Sequence, residues 1–460
     1  MKCAILALAA LQIASAQGGP ALEGTWIGSL RTQPGQMRLG LHVTRAADGS
    51  LQATLDSIDQ GANNIPVSSI RQTGSTVSLA IQAVGASYEG TLAAGGAEMV
   101  GEWKQAGATL PLTFARTDKL PVSRRPQEPK KPYPYTEEEV VYDNKEGGSR
   151  LTGALTTPPG AGPFPAVLLI TGSGQQDRDE SLLGHRPFLV LADHLTRKGI
   201  AVLRVDDRGM GGSTGEVKTA TTEDFAGDVK AGVEFLKTRA PKIDPRRIGL
   251  IGHSEGGLIA PMVAARSRDI AFIVLMAGTG VTGEEVINGQ AAAIARLGGA
   301  SEAVIAGNRA IQEQVNAIVK AETDPKARDT RLRELRDKLV AEMKGVGQVL
   351  DVQFKRAASP WFRYFLMYDP VTALRSVSCP VLALNGELDL QVLPAQNLPA
   401  IAKALEEGGN PDYTLVKLPK LNHLFQTSNT GSPSEYGKIE ETLAPVALET
   451  ISGWILKHTR

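Results

Sequence analysis

The fold is decided by residues 248–257, which read I-G-L-I-G-H-S-E-G-G. An apolar run ends at Ile251, and a G-x-S-x-G pattern follows before the helix-compatible residues 258–265. This order predicts a buried strand, a tight turn and a helix, with the hydroxyl of Ser254 at the tip of the turn. Side chains at the flanking glycine positions would collide with the neighbouring strand and helix. The turn therefore predicts a serine nucleophile, since a phosphate-binding loop would need a lysine and a longer loop.

Backbone N–H groups near this turn are candidates for stabilising a negatively charged oxygen. The N–H of Glu255 lies at the predicted helix N-terminus, where it can face a developing oxyanion. A second donor is expected from the loop after the apolar residues 166–170, which reads T-G-S-G-Q-Q. Small residues there let the backbone approach a substrate. Ser173 is the predicted donor, with Gly174 next.

A serine is a weak nucleophile until a base, oriented by a third group, activates it. In nucleophile turns of this kind the acid and then the histidine follow the serine along the chain. The histidines that follow Ser254 are His423 and His458. His423 stands in a loop after the strand-like residues 413–418, whereas His458 lies on a terminal helix. His423 is therefore the predicted base.

The acid is expected just past the strand-like residues 381–385, in the loop G-E-L-D-L-Q-V. A carboxylate at this place can reach the imidazole and fix its tautomer. Asp389 and Glu387 compete for the role. We predict Asp389, because it lies deeper in the loop at G-x-x-D spacing, and keep Glu387 as the alternative.

Short, almost wholly apolar runs surround the nucleophile motif, with helix-like segments between most of them. This pattern is typical of a mostly parallel sheet that is covered on both faces. Residues 281–370 interrupt the alternation with amphipathic helical segments, which would overhang the carboxyl ends of the strands, where ligands bind. We predict a helical cap whose aromatic residues, including Trp361 and Phe362, wall the substrate pocket; the alternative for these residues is the core of the cap.

Residues 17–117 form a separate β-rich block. Alternating apolar residues such as Leu39, Leu41 and Val43 recur between turn signals and indicate about eight short strands of a barrel or sandwich. We predict a small barrel-like accessory domain without chemistry of its own. Residues 118–139, rich in Pro and mixed charges, indicate an extended linker before a catalytic domain at 140–460.

The N-terminus has the regions of a cleavable signal peptide. Lys2 supplies the positive charge, a short apolar run follows, and residues 14–16 read A-S-A before Gln17. Residues 1–16 are therefore predicted to be removed, and the protein to be secreted or periplasmic. The apolar run is too short to span a bilayer, so no stable membrane insertion is expected. Cleavage leaves Cys379 as the sole cysteine, which predicts no internal disulfide.

Composition excludes several classes of protein. The 460 residues include 49 Lys and Arg against 49 Asp and Glu, and 42% are apolar. A chain this apolar and this balanced in charge is not globally disordered. A nucleic-acid partner normally requires a basic surface, so none is expected. A neutral globular enzyme or binding protein remains.

Together these motifs resemble the α/β-hydrolase superfamily, and more closely its secreted bacterial carboxylesterases with an N-terminal β domain. The stretches that carry the resemblance are G-S-G-x-x-D-R-D-E at 172–180, G-H-R-P-F at 184–188, D-R-G at 207–209, G-H-S-E-G-G at 252–257, S-P-W-F at 359–362, D-P at 369–370, N-G-x-x-D at 385–389 and N-H at 422–423. The resemblance implies an α/β-hydrolase fold and a Ser254–His423–Asp389 triad that acts through an acyl-enzyme, with no metal and no organic cofactor. It gives His253, at a variable position, no catalytic role, and the charged residues 177–180 are interpreted as bracing a loop.

We expect the hydrolysis of a small-molecule carboxylic ester. A peptidase of the serine aminopeptidase or prolyl-oligopeptidase kind would use the same triad, but would need an acidic clamp for a substrate amine, for which Glu284-Glu285 is the obvious pair. An acyl thioesterase or acyltransferase is a further alternative. The alternative of another class is an inactive hydrolase scaffold that acts as a secreted binding protein, which an intact triad disfavours.

Overall fold

The computed structural model describes residues 21–459, apart from residues 33–34, 106, 122–123 and 344–346. At residues 32, 35, 36, 348 and 349 it describes the backbone alone. The predicted signal peptide lies outside the described residues. The described residues divide into two compact units, and the boundary falls between residues 122 and 123.

The first unit is a single antiparallel sheet. Its strands, among the described residues, are β1 (Gly24–Thr32), β2 (Gly35–Arg45), β3 (Leu51–Ser57), β4 (Ala62–Pro66), β5 (Ser69–Thr73), β6 (Thr76–Ile81), β7 (Ala86–Leu92), β8 (Glu98–Gln105) and β9 (Ala108–Thr117). They pair in the order β4-β3-β2-β1-β9-β8-β7-β6-β5. The sheet curls into a half-barrel around an apolar core that includes Trp26, Tyr88 and Phe114. The indole N–H of Trp26 donates to the carbonyl oxygen of Leu22 at 3.0 Å, which satisfies its polar atom inside the core.

This sheet has one strand more than the sequence pattern indicates. The edge strands β4 and β5 read A-N-N-I-P and S-I-R-Q-T, and none of their residues is buried. A strand without a buried face has no apolar alternation to detect. The prediction of a small all-β domain ahead of an α/β fold is nevertheless confirmed.

The second unit is built on a mixed sheet. Its strands, within residues 124–459, are β10 (Thr136–Asn144), β11 (Ser149–Thr157), β12 (Phe164–Ile170), β13 (Ala201–Val205), β14 (Ile243–His253), β15 (Phe272–Met276), β16 (Val381–Gly386) and β17 (Tyr413–Leu418). They pair in the order β10-β11-β13-β12-β14-β15-β16-β17. The hairpin β10–β11 is antiparallel at one edge, and β12 to β17 run parallel. The predicted mostly parallel sheet is confirmed.

Helices cover this sheet. Among the described residues they are α1 (Pro187–Arg197), α2 (Thr222–Lys237), α3 (Gly256–Ala264), α4 (Gly283–Leu297), α5 (Glu302–Ala321), α6 (Pro325–Glu342), α7 (Gly347–Ala357), α8 (Pro360–Met367), α9 (Pro370–Leu374), α10 (Pro394–Glu407) and α11 (Pro445–His458). Inner strands such as β15 and β16 are buried along their whole length, whereas most residues of the edge strands β10 and β17 are not buried. This burial explains the continuous apolar runs in the sequence.

A helical insertion, α4 to α9, connects β15 to its parallel neighbour β16. It has an apolar core of its own, built from the following residues: Val315, Val319, Leu332, Leu339, Leu350, Phe354, Ala357, Phe362 and Leu366. The helix starts follow from local sequence. Ser359 precedes Pro360 at the start of α8, and its hydroxyl accepts a hydrogen bond from the N–H of Phe362 at 3.2 Å. Such a cap satisfies an N–H group that the helix cannot pair itself.

The proline-rich segment is attached to the second unit rather than hanging free. The Arg125 guanidinium donates to the carbonyl oxygens of Leu183 and Gly437, both at 2.9 Å. Strand β10 begins at Thr136, inside the stretch 118–139 that the sequence predicts as linker. The end of that stretch therefore belongs to the sheet of the second unit.

Candidate active site

The turn between β14 and α3 holds Ser254 in a left-handed backbone conformation, with φ at +54°. A non-glycine residue in this region stores about 1–3 kcal/mol of strain and persists only where its surroundings impose it. The Ser254 N–H donates to the carbonyl oxygen of Met276 at 2.8 Å, and the Ser254 carbonyl oxygen accepts from Gly257 N–H at 2.9 Å. These bonds hold the serine at the carboxyl end of β14, directly before α3.

The glycines around Ser254 permit very close backbone contact. A Cβ on Gly252 would lie 2.0 Å from the carbonyl oxygen of Gly256, and a Cβ on Gly256 would lie 2.1 Å from the carbonyl oxygen of Ile170. Both contacts involve backbone atoms, which cannot rotate away as a side chain can. The collisions predicted at these two flanking positions are confirmed.

We expect Gly252→Ala to lower the free energy of unfolding by about 3 kcal/mol or more, because the added methyl overlaps the first turn of α3. Gly307→Ala is the matched control. Gly307 lies inside α5, with open space around its Cβ position. Alanine there should raise the free energy of unfolding by about 0.5–1 kcal/mol, since glycine loses more chain entropy in a helix. Urea denaturation measures both, and equal stabilities would contradict the close contact.

The loop after β16 places a carboxylate against the imidazole of His423. His423 Nδ1 lies 2.9 Å from Asp389 Oδ2, and both side chains are buried. Asp389 Oδ1 accepts the backbone N–H groups of Gln391 at 2.8 Å and Val392 at 2.9 Å. The Asn385 amide donates to Asp389 Oδ2 at 3.1 Å. The carboxylate is thereby fixed, and the proton on Nδ1 leaves Nε2 of the imidazole as the acceptor.

The competing residues lie elsewhere. Glu387 is exposed, and its carboxylate accepts the N–H of Lys420 at 3.1 Å. His458 contacts the carbonyl oxygen of Trp454 at 2.8 Å, at the end of α11. The structure therefore brings Asp389, and not Glu387, to His423.

The nucleophile turn, the loop of His423 and the loop after β12 meet at one place. The ring of His253, next to Ser254, lies 4.9 Å from the ring of His423. A Cβ built on Gly172 would lie 3.4 Å from Cβ of Ser254. Within the described residues the Ser254 hydroxyl forms no hydrogen bond to His423; in many hydrolases this bond becomes short only in the substrate complex.

The predicted oxyanion donors lie in the loop after β12 and at the start of α3. Ser173 and Gly174 are exposed, and their N–H groups donate to no described residue. The N–H of Glu255 likewise has no acceptor among the residues that the structure describes. Gly172 differs, because its N–H donates to Glu180 Oε1 at 2.7 Å. The N–H groups of Ser173, Gly174 and Glu255 therefore have no acceptor among the described residues.

Asp207 braces the loop of Ser173 from the side of β13. Its two carboxyl oxygens accept the Thr171 hydroxyl at 2.8 Å and the Gln176 N–H at 2.9 Å. Burial raises the pKa of Asp207 from 3.8 to about 7. The loop is thus held by a carboxyl group that keeps its proton at pH values well above those at which an aspartate is usually protonated.

This raised pKa predicts how stability depends on pH. Between pH 4 and 7 the native protein keeps the Asp207 proton while the unfolded chain has released it. The native state therefore becomes less stable as pH rises, by at most about 1.4 kcal/mol per pH unit. In urea denaturation, the free energy of unfolding of wild type minus that of Asp207→Asn should fall from pH 4 to 7 and then level off. A difference that rises with pH would contradict the buried, protonated carboxyl.

The side chain of Glu255 connects the nucleophile turn to the insertion. Its Oε1 accepts the Thr222 hydroxyl at 2.7 Å and the indole N–H of Trp361 at 2.8 Å. Burial raises the pKa of Glu255, although both hydrogen bonds oppose the shift. Phe362, by contrast, is buried in the core of the insertion. Of the two predicted pocket residues, Trp361 alone reaches the nucleophile turn.

A small cavity of about 50 Å³ lies beside the oxyanion loop. Gly172, Gly174 and Glu255 line it at the active site, and Leu168, Phe225 and Ile259 give it apolar walls. The cavity therefore adjoins the loop of Gly172 and Gly174 and the residue that follows Ser254.

Two buried side chains beside Ser254 and His423 were not identified from the sequence as functional. Glu180 Oε1 contacts His253 Nδ1 at 2.9 Å, and His253 Nε2 contacts the carbonyl oxygen of His423 at 3.1 Å. Glu180 lies in a charged loop and His253 in the middle of a motif, and no spacing links them. The sequence offers one weak signal: both residues lie beside predicted site segments, and a carboxylate or a histidine that becomes buried there requires a partner.

Within the described ranges, no cluster of three or more His, Cys, Asp or Glu side chains could hold a metal ion. None of the helices in those ranges is both long and apolar enough to cross a bilayer.

Comparison with known proteins places the chain among hydrolases. A family model described as Alpha/beta hydrolase family matches residues 167–433, a span that contains Ser254, Asp389 and His423. The chain is similar to Esterase EstD of Thermotoga maritima, with 27% identity over 309 residues, 67% of this chain and 66% of EstD. It thus covers slightly less than two thirds of that relative.

Two shorter similarities were also found. Esterase FrsA of Yersinia enterocolitica is 34% identical over 139 residues, 30% of this chain and 31% of FrsA. The uncharacterized peptidase YuxL of Bacillus subtilis is 31% identical over 141 residues, 28% of this chain and 20% of YuxL.

Proposed function

Since the chain belongs to the alpha/beta hydrolase family, we propose that it is a carboxylesterase-like serine hydrolase that cleaves small-molecule esters. The observation that carries the proposal is the 2.9 Å contact between the buried Asp389 carboxylate and His423, in a loop that meets the strained turn of Ser254. The similarity to EstD and FrsA, both named esterases, supports an ester as the substrate.

In the first half of the reaction Ser254 Oγ attacks the ester carbonyl carbon while His423 Nε2 takes the hydroxyl proton. The carbonyl oxygen becomes an oxyanion, which the N–H groups of Glu255 and Ser173, with Gly174 adjacent, stabilise. Each such donor lowers the barrier by about 2.7–4 kcal/mol. His423 then gives the proton to the leaving alcohol, and the acyl group remains on Ser254.

The second half repeats these roles with water. His423 accepts a proton from a water molecule as that molecule attacks the acyl carbon, and the same N–H groups stabilise the second oxyanion. When the intermediate collapses, the bond to Ser254 Oγ breaks and His423 returns the proton to that oxygen. Asp389 stays ionised throughout and stabilises the imidazolium that forms twice in each cycle.

The cavity beside Gly172 and Gly174 is proposed to receive the acyl group. A volume of about 50 Å³ holds roughly three to five non-hydrogen atoms, if each takes the 10–15 Å³ that a bound water occupies. Acetyl and butyryl groups match that size, whereas octanoyl does not. Trp361 is proposed to contact the substrate from the insertion, because its indole bonds the side chain that follows Ser254.

A peptidase on the same triad is the main rival, and the similarity to YuxL favours testing it. The clamp suggested by the sequence is already engaged inside the insertion. Glu284 pairs with Lys320 at 2.5 Å and accepts the Asn316 amide at 3.2 Å. Glu285 accepts the N–H and the hydroxyl of Thr282 at the start of α4. The Lys320 ammonium neutralises Glu284, so the two residues do not form the doubly negative clamp that a substrate amine would need, and this supports the ester.

The test compares p-nitrophenyl acetate, butyrate and octanoate with alanine p-nitroanilide. We expect kcat/KM to be highest for acetate or butyrate, at least about tenfold lower for octanoate, and lowest for the anilide. A fluorophosphonate probe should label one peptide, the one that contains Ser254. Preference for the anilide would support the peptidase, and an unlabelled protein would support the inactive scaffold.

A further inference from the structure

Glu180 and His253 form a buried pair that the catalytic steps above do not use. Both side chains are less than a tenth exposed. Glu180 Oε1 lies 2.9 Å from His253 Nδ1 and also accepts the N–H of Gly172 at 2.7 Å. The other ring nitrogen, His253 Nε2, lies 3.1 Å from the backbone carbonyl oxygen of His423. One carboxylate and one imidazole thus touch three separate loops.

The hydrogen-bond partners define where the protons lie. A carbonyl oxygen can only accept, so His253 Nε2 carries a hydrogen. As a carboxylate, Glu180 can only accept, so Oε1 accepts from Nδ1 as well as from the N–H of Gly172. Both ring nitrogens of His253 are therefore donors, and the pair is an imidazolium against a carboxylate. Burial opposes this charge, but the adjacent Glu180 carboxylate raises the pKa of His253, in the direction that the contacts require.

Backbone strain at Glu180 supports a purpose beyond packing. Glu180 has φ at +52°, a left-handed conformation that glutamate rarely adopts. Such strain persists where surrounding contacts impose it, and it occurs often at functional sites. Here the strained residue carries the carboxylate that holds Gly172, directly before the proposed donors Ser173 and Gly174.

We propose that Glu180 and His253 are positioning residues for the hydrolytic reaction, which hold the oxyanion loop, the nucleophile turn and the loop of the base in one fixed arrangement. The pair engages the N–H of Gly172, and the free donors are consequently those that follow it. Its imidazolium bonds the backbone of His423, the proposed base, from the residue next to Ser254. The proposal rests on the proposed function, because it takes Ser254 and His423 as the reacting groups.

The test uses Glu180→Gln, Glu180→Ala, His253→Gln and the double variant Glu180→Gln/His253→Gln. His194→Gln is the matched control, because His194 is a partly buried histidine on α1 that bonds Ser452, away from the triad. The measurements are kcat and KM for p-nitrophenyl acetate, the rate of fluorophosphonate labelling of Ser254, and Tm. Ser254→Ala is the inactive reference.

We expect Glu180→Ala and His253→Gln to lower kcat by about 100-fold, because misplaced reacting groups and oxyanion donors cost about that much. KM should change by less than about threefold, and labelling should slow by the same factor as kcat. Glu180→Gln keeps an acceptor for Gly172, so it should recover about tenfold of the loss seen with alanine. The double variant should lose no more activity than His253→Gln alone, since the effects of residues that act as one unit are not additive.

Retention of kcat within about twofold in Glu180→Ala and His253→Gln would overturn the proposal, as would multiplicative losses in the double variant. A fall in kcat that His194→Gln reproduces at the same loss of Tm would also overturn it, by showing a stability effect alone. If His253→Gln fails to fold, the Gln and Ala variants of Glu180 decide the question. Failure of the proposed function looks different: the wild type would not be labelled, or Ser254→Ala would stay active.

Discussion

Alanine in place of Ser254 should lower kcat for p-nitrophenyl acetate by about 10⁶-fold, down to the level set by the remaining oxyanion donors. The hydroxyl is the only group at the tip of the turn that can form the acyl-enzyme. The backbone should not relax, because alanine also has a Cβ and keeps the strain at φ +54°. Tm should therefore stay within a few degrees of the wild type.

The measurement pairs ester turnover with fluorophosphonate labelling of the same preparation. Ser376→Ala, an exposed serine on the surface of the second unit, serves as the control and should behave as wild type. If Ser254→Ala turned over the ester at more than about a thousandth of the wild-type rate, another nucleophile would have to be sought.

Asparagine in place of Asp389 should lower kcat by about 10⁴-fold, because it selects the wrong tautomer of His423. An amide that keeps its oxygen on the N–H groups of Gln391 and Val392 turns its NH₂ towards Nδ1 of the imidazole. Nδ1 must then accept a hydrogen bond, so the ring hydrogen lies on Nε2. With a hydrogen already bound, Nε2 cannot take the proton of Ser254. The NH₂ would also face the amide donor of Asn385, which now contacts the carboxylate at 3.1 Å.

Glu387→Gln is the matched control for this substitution. Glu387 lies in the same loop, two residues away, but it is exposed and accepts only the N–H of Lys420 among the described residues. Its kcat should stay within about twofold of the wild type. The reverse result, with Glu387→Gln inactive and Asp389→Asn active, would reassign the acid. Both variants are measured with p-nitrophenyl acetate and checked for fold by circular dichroism.

The nucleophile turn could be predicted from the sequence because its constraints are local. The backbone contacts at Gly252 and Gly256 exclude any side chain, so both positions must be glycine and can be recognised in the sequence next to Ser254. Asp389 was predicted from its place after an apolar strand. Glu387 lies only two residues away in the same loop, so the sequence pattern separates the two carboxylates poorly. Burial settled that choice in the structure, since one carboxylate is enclosed and the other is exposed.

Other features depend on contacts between distant segments and leave no periodic trace. Glu180 and His253 are 73 residues apart, and only the parallel arrangement of β12 and β14 brings their segments together. Trp361 and Phe362 are neighbours on α8, but one bonds Glu255 and the other packs into the insertion. Sequence alone cannot say which of two adjacent aromatic residues faces the sheet.

The insertion between β15 and β16 has an evolutionary consequence. These strands are parallel neighbours, so the chain leaves the sheet and returns to it at adjacent positions. The helices between them carry their own apolar core, and their length does not determine the pairing of the strands that present Ser254 and Asp389. Natural selection, or a protein engineer, can therefore vary the outer helices of this layer, provided that Phe365 and Leu374 still pack in the core of the main sheet and Trp361 still bonds Glu255.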